Sequence, residues 1–74
     1  MLLNLYDQRG ILIKSVNMDN QDIAIFLNKL FTGLKYNLDN AAKATNKVLQ
    51  EIKDCGSVII RNPATKARIE IIGD

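Results

Sequence analysis

Histidine and tryptophan are missing from this 74-residue sequence, and cysteine and proline occur once each. Each absence removes a class of explanation. A single cysteine, Cys55, allows no intramolecular disulfide. Without histidine, one thiol cannot complete a structural zinc site of the Cys/His kind. The usual staples of very small domains are therefore gone, although a chain this short buries a small share of its surface on folding. Such a chain needs very good packing or self-association. The missing histidine also removes the commonest general base and every nucleophile triad built around an imidazole. No apolar run approaches the ~20 residues needed to cross a bilayer, so no membrane partner is expected. The start, Met1-Leu2-Leu3-Asn4-Leu5, has neither the basic stretch nor the small-residue cleavage site of an export signal. Together with one unpaired thiol, this points to a reducing cytoplasm.

What is present is ordinary for one folded domain: 47% hydrophobic and 24% charged residues,. A net charge of +2 is too small to announce a polyanionic partner,. Asparagine, isoleucine and lysine are abundant and arginine is scarce. That bias is typical of AT-rich coding sequence, as in low-GC bacteria, their phages and plasmids.

Turn signals divide residues 1–74 into a β-hairpin, a helical middle and a second β-hairpin. In the first hairpin, Leu2–Tyr6 and Ile11–Val16 flank Asp7-Gln8-Arg9-Gly10, which suits a type I turn closed by a left-handed glycine. The expected register puts Leu3, Leu5, Ile11 and Ile13 on one face. Leu2, Asn4, Tyr6, Leu12, Lys14 and Val16 then form a mixed face, where a small sheet should show water a cleaner polar one. In the middle, Asp19 reads as an N-cap, with Met18 and Ile23 placed for a hydrophobic staple. Ile23, Phe26, Leu27, Leu30, Phe31 and Leu34 make one helical stripe, and Leu38, Ala41, Ala42, Thr45, Val48, Leu49 and Ile52 make a second. Gly33 can close the first helix, Asn37 or Asp39 can cap the next, and Gly56 supplies a stop. Two antiparallel helices are favoured over one long helix, which would demand an intertwined dimer. In the second hairpin, the turn at Asn62-Pro63 pairs Ile60 with Ile69 and Val58 with Ile71, so that four apolar residues share a face. The same register sets Arg61 opposite Arg68.

The search for chemistry is nearly empty. Most acidic residues fall in caps, turns or chain ends, and the four glycines form no phosphate-binding spacing,. Cys55 follows a helix C-terminus, and apolar spacing marks it as a packed helix-end residue. No enzyme activity, cofactor or metal is expected. The most specific oddity is the Arg61–Arg68 pair, because like charges directly opposite on antiparallel strands repel. Lys66 in the turn adds a third cation. Arg61, Lys66 and Arg68 are therefore candidates for binding an anionic group or a partner. Leu2, Tyr6, Leu12 and Val16 form a candidate apolar strip for self-association or a partner interface. The alternative is that helices cover this face as well.

The expectation is one small α+β domain of order ββααββ, with a mainly antiparallel sheet packed by two helices. The expected function is non-enzymatic binding of a host or partner protein, as a homodimer, by an accessory or inhibitor protein of a phage or mobile element. The alternative is a nucleic-acid-binding module built on the basic C-terminal hairpin.

Overall fold

The computed structural model describes residues 1–74. Its elements are β1 (Leu2–Tyr6), β2 (Leu12–Asn17), α1 (Asn20–Gly33), α2 (Leu38–Cys55), β3 (Ser57–Arg61) and β4 (Arg68–Ile72). The order is the expected ββααββ, and the four strands form one antiparallel sheet in the order β2-β1-β4-β3. The two hairpins join through their inner strands, so β1 and β4 lie side by side in the middle.

Caps set the helices. The Asp19 carboxylate accepts from the backbone N–H of Asp22 at 2.7 Å, and the Asn37 side chain accepts from Asn40 at 2.8 Å. Each satisfies one N–H that the first helical turn leaves without a partner. The break between helices is built by Lys35, a non-glycine residue at φ +70°. Its N–H donates to the Thr32 carbonyl at 3.0 Å, and that of Tyr36 reaches back to Phe31 at 3.1 Å. This paired return is a Schellman ending. The Tyr36 ring then packs on Phe31 with centroids 5.3 Å apart, which fixes the reversal. The chain therefore makes a helical hairpin, and the single long helix is excluded. α2 stops at Gly56, which sits in the left-handed region at φ +87°.

Both helices cover one face of the sheet. Ile23, Leu27 and Phe31 of α1 join Ala41 and Ile52 of α2 over Leu3, Val58, Ile69 and Ile71. Burying each large side chain of this set is worth about 1.5–3 kcal/mol. Thr45 lies on the same stripe with its hydroxyl buried and unpartnered, a cost that the small interior carries,.

The second hairpin has the expected register, with Val58 opposite Ile71, Ile60 opposite Ile69 and Arg61 opposite Arg68. The first does not. Its turn forms as expected, Gly10 donating to the Asp7 carbonyl at 3.0 Å with φ +83°. A further irregularity follows, because Tyr6 faces Leu12 while Leu5 faces Lys14, leaving Ile13 as an extra residue. One added residue turns every later side chain to the opposite face. Val16 therefore lies opposite Leu3 on the helix side, not in the strip with Leu2, Tyr6 and Leu12. Ile11 and Ile13, expected in the core, are exposed. Cys55 is corrected too: its thiol is exposed. The space over Ile52 is filled by backbone instead, where Gly73 donates to the Gly56 carbonyl at 2.7 Å. Even a Cβ on Gly73 would come within 3.0 Å of the Ile52 side chain.

Candidate functional site

The helices leave the other sheet face open, and cross-strand partners share a face. Three rows of side chains therefore cross it from β2 to β3. Leu12, Tyr6, Arg68 and Arg61 form the first row, beside the hairpin turns. Ser15, Asn4, Glu70 and Ile59 form the second, and Asn17, Leu2, Ile72 and Ser57 the third. Leu2, Tyr6 and Leu12 are thus together on one surface with both arginines, while Val16 is on the far side. Ile59 and Ile72 extend the apolar part of this surface, and Ile59 is 59% exposed.

A polar chain braces the middle. The Ser15 hydroxyl donates to the Asn4 amide oxygen at 2.6 Å. The Asn4 amide and the Tyr6 hydroxyl both donate to one Glu70 oxygen, at 3.1 and 3.0 Å. Bound this way, Asn4 is buried at the centre of an otherwise open surface. The hydrogen bond to Glu70 holds the Tyr6 phenol above its ordinary pKa, helped by partial desolvation and by the carboxylate's charge; Arg68 works in the opposite direction.

Arg68 does not splay freely into water. Its guanidinium carbon stands 5.7 Å from the centre of the Tyr6 ring, a cation–π arrangement,. A Cβ on Gly10 would lie 2.7 Å from one of its nitrogens. Glycine at the first turn thus does two things: it takes the positive φ, and it leaves room for an arginine from the second hairpin. Arg61, Lys66 and Arg68 converge on a shallow groove of about 460 Å³, completed by Gln8, Asn62 and Pro63. Lys66 is held at φ +60°, its N–H donating to the Asn62 carbonyl at 2.7 Å. None of the three cations is in an ion pair; the only ion pair joins the Met1 amino group to Asp74 at 3.1 Å. Nearby acids are otherwise engaged: Glu70 holds Tyr6 and Asn4, and Asp7 accepts from the N–H groups of Arg9 and Ile11.

The sequence thus brought Arg61, Lys66 and Arg68 to one place correctly, since all three belong to one hairpin. It missed the Ser15–Asn4–Glu70–Tyr6 chain and the contact between Arg68 and Gly10. Both depend on β1 pairing with β4, which no local signal specifies. No three acidic or thiol side chains converge as a metal ion would require, and no helix is long and apolar enough to cross a membrane. The largest concavity, about 790 Å³, lies at the C-terminal end of α2, with Lys53 and Asp74 the only charged side chains in its lining. Comparison with known proteins gives no match to any family model, curated protein or solved structure.

Proposed function

We propose that the chain is a non-enzymatic binding protein that grips another protein through the open sheet face, working as a homodimer. The observation that carries this reading is the choice of residues on that face. Its twelve positions include Tyr6, Arg61, Arg68, Leu2, Leu12, Ile59 and Ile72, one glutamate, and no lysine or aspartate. Lys29, Lys35, Lys43, Lys47 and Lys53 lie instead on the helices and the loop between them. Protein interfaces are enriched in tyrosine and arginine and depleted in lysine and acidic residues, and their energy concentrates in such anchors. The partner this surface suits carries an apolar patch flanked by carboxylates, which would meet Arg61, Lys66 and Arg68. The AT-rich composition supports an accessory or inhibitor protein of a phage or mobile element, and the lone free thiol supports a cytoplasmic setting.

A second reading, a nucleic-acid-binding module, is favoured by one feature: three cations without ion-pair partners line a groove between two turns. One experiment separates the two. The immobilised chain is used for capture from nuclease-treated host lysate, beside Tyr6→Ala and Ile59→Asp. Retention of one protein by the wild type and its loss by both variants supports the proposal. Capture that vanishes with nuclease supports the second reading, and the slope of log affinity against log salt then counts its phosphate contacts. Capture indifferent to both variants refutes the open face as the working surface.

A further inference from the structure

We infer that the homodimer forms by antiparallel pairing of β2 with β2 of a second copy, joining two four-stranded sheets edge to edge. This rests on the homodimer reading above and specifies its seam. β2 runs outside the helix layer. Lys14 is exposed although it faces the helix side, and Ile11, Leu12 and Ile13 are 56%, 51% and 66% exposed. Three adjacent apolar residues left open at the entry to an edge strand are a liability unless something covers them.

The backbone shows which groups are free. Met1 and Met18 exchange both hydrogen bonds, each at 2.8 Å. Antiparallel pairs alternate between bonded and non-bonded. Leu3–Val16 and Leu5–Lys14 are therefore bonded pairs, and Leu2–Asn17 and Asn4–Ser15 are not. The N–H and C=O groups of Val16 and Lys14 point into the sheet, while those of Ser15 and Asn17 point outward with no strand to receive them.

Only certain registers use those groups. Centring a two-fold axis on Ser15 sets Ser15 against Ser15 of the second copy and Ile13 against Asn17. Lys14 then faces Val16 of the second copy, where its aliphatic stem can cover an apolar side chain. Centring on Lys14 satisfies the same hydrogen-bond parity, but it sets two lysines directly opposite, and their repulsion favours the Ser15-centred register. A closed two-fold pair also ends growth of the sheet at this edge. The other edge, β3, is a weaker candidate: Val58 and Ile60 already pack with the core, leaving Ile59 as its exposed apolar residue beside Arg61. The extra residue at Ile13 and the charge at Lys14 keep the seam short, which makes the dimer a weak one, governed by concentration.

The test combines sedimentation equilibrium with residue-resolved amide exchange, from micromolar to millimolar protein. The mass should rise from 8.3 kDa toward twice that value. Over the same range the Ser15 and Asn17 amides should gain protection, while Val16 is protected at every concentration. Ser15→Pro removes an outward N–H and no backbone bond within the chain, so it should hold the mass at that of a monomer with Val16 still protected. N-methylation of Ser15 in a synthetic chain does the same and keeps the hydroxyl's bond to Asn4. A doubled mass with new protection at Ser57, Ile59 and Arg61, or with none, overturns the β2 seam and leaves the dimer standing. A monomer at millimolar concentration overturns the seam and the dimer together, leaving partner binding through the open face to the capture experiment.

Discussion

Arg61 and Arg68 face each other across one strand pair, yet replacing them should have opposite effects. Their repulsion is shared, so neutralising either should recover a few tenths of a kcal/mol at low salt. Arg61 makes no ion pair and no ring contact, so Arg61→Gln should show that gain alone, a rise in Tm of about 1–3 °C for a domain this size. Arg68 also sits over Tyr6, and an exposed cation–π contact is worth about 0.5–1 kcal/mol,. Arg68→Gln loses that contact while gaining the same relief, for a net loss of about 0.2–0.7 kcal/mol. The double variant should recover the relief only once. Non-additivity in the cycle then measures the repulsion directly. Urea denaturation of the four proteins at low salt and at 1 M salt supplies the numbers. At 1 M salt, screening within ~3 Å should erase the coupling but leave most of the Arg68 deficit. Equal shifts for the two single variants, or a coupling indifferent to salt, would refute the reasoning.

Two further outcomes concern single residues. Lys35 occupies a left-handed position that costs an L-residue about 1–2 kcal/mol, offset in part by the extra freedom glycine has when unfolded, so Lys35→Gly should stabilise by about 0.5–1 kcal/mol in denaturant titration. An unchanged midpoint would show that the Schellman ending is not strained. Tyr6 keeps its proton in the fold more firmly than at its ordinary pKa of 10.0. Above that pH the unfolded chain loses the phenol proton while the native chain retains it, so stability should fall as pH rises through the folded value. Tyr6→Phe should flatten that part of the profile, and identical wild-type and variant slopes would disprove the linkage.

What was legible in the sequence was local. Asp19 and Gly56 act within a turn of their own positions, and the structure uses both as read. Of Asn37 and Asp39, both open as the second cap, it uses Asn37, and Lys35 instead of Gly33 takes the left-handed position that ends the first helix. The second hairpin was legible because its turn fixes the register, and only that register puts Val58, Ile60, Ile69 and Ile71 on one side. The first hairpin carries equally good turn residues, but its extra residue at Ile13 has no marking glycine or proline. The misreading then spread outward, placing Val16 on the wrong face and Ile13 in the core. Cys55 failed for a related reason. Periodicity assigns a direction to a side chain, but whether that direction is filled depends on a strand distant in sequence, here the end of β4. The polar chain beneath Tyr6 joins Asn4 to Glu70, 66 residues away, and lies beyond any pattern of neighbours.

The strand order has a consequence in time. β1 and β4 are central in the finished sheet, yet each is the outer strand of the hairpin that forms first by local contacts. Until they meet, both present a bare rim of hydrogen-bonding groups, backed by Leu3, Leu5, Ile69 and Ile71. Their meeting closes a loop that contains both helices, and loop closure must precede the contacts that reward it. The helical hairpin shortens that search by drawing the two β-hairpins together, so its own speed of collapse sets how long the sticky rims stay bare. A substitution that loosens the Phe31–Tyr36 reversal would therefore act first on the yield of folded protein, through clumping of half-assembled chains, before any change in the finished molecule's grip on a partner.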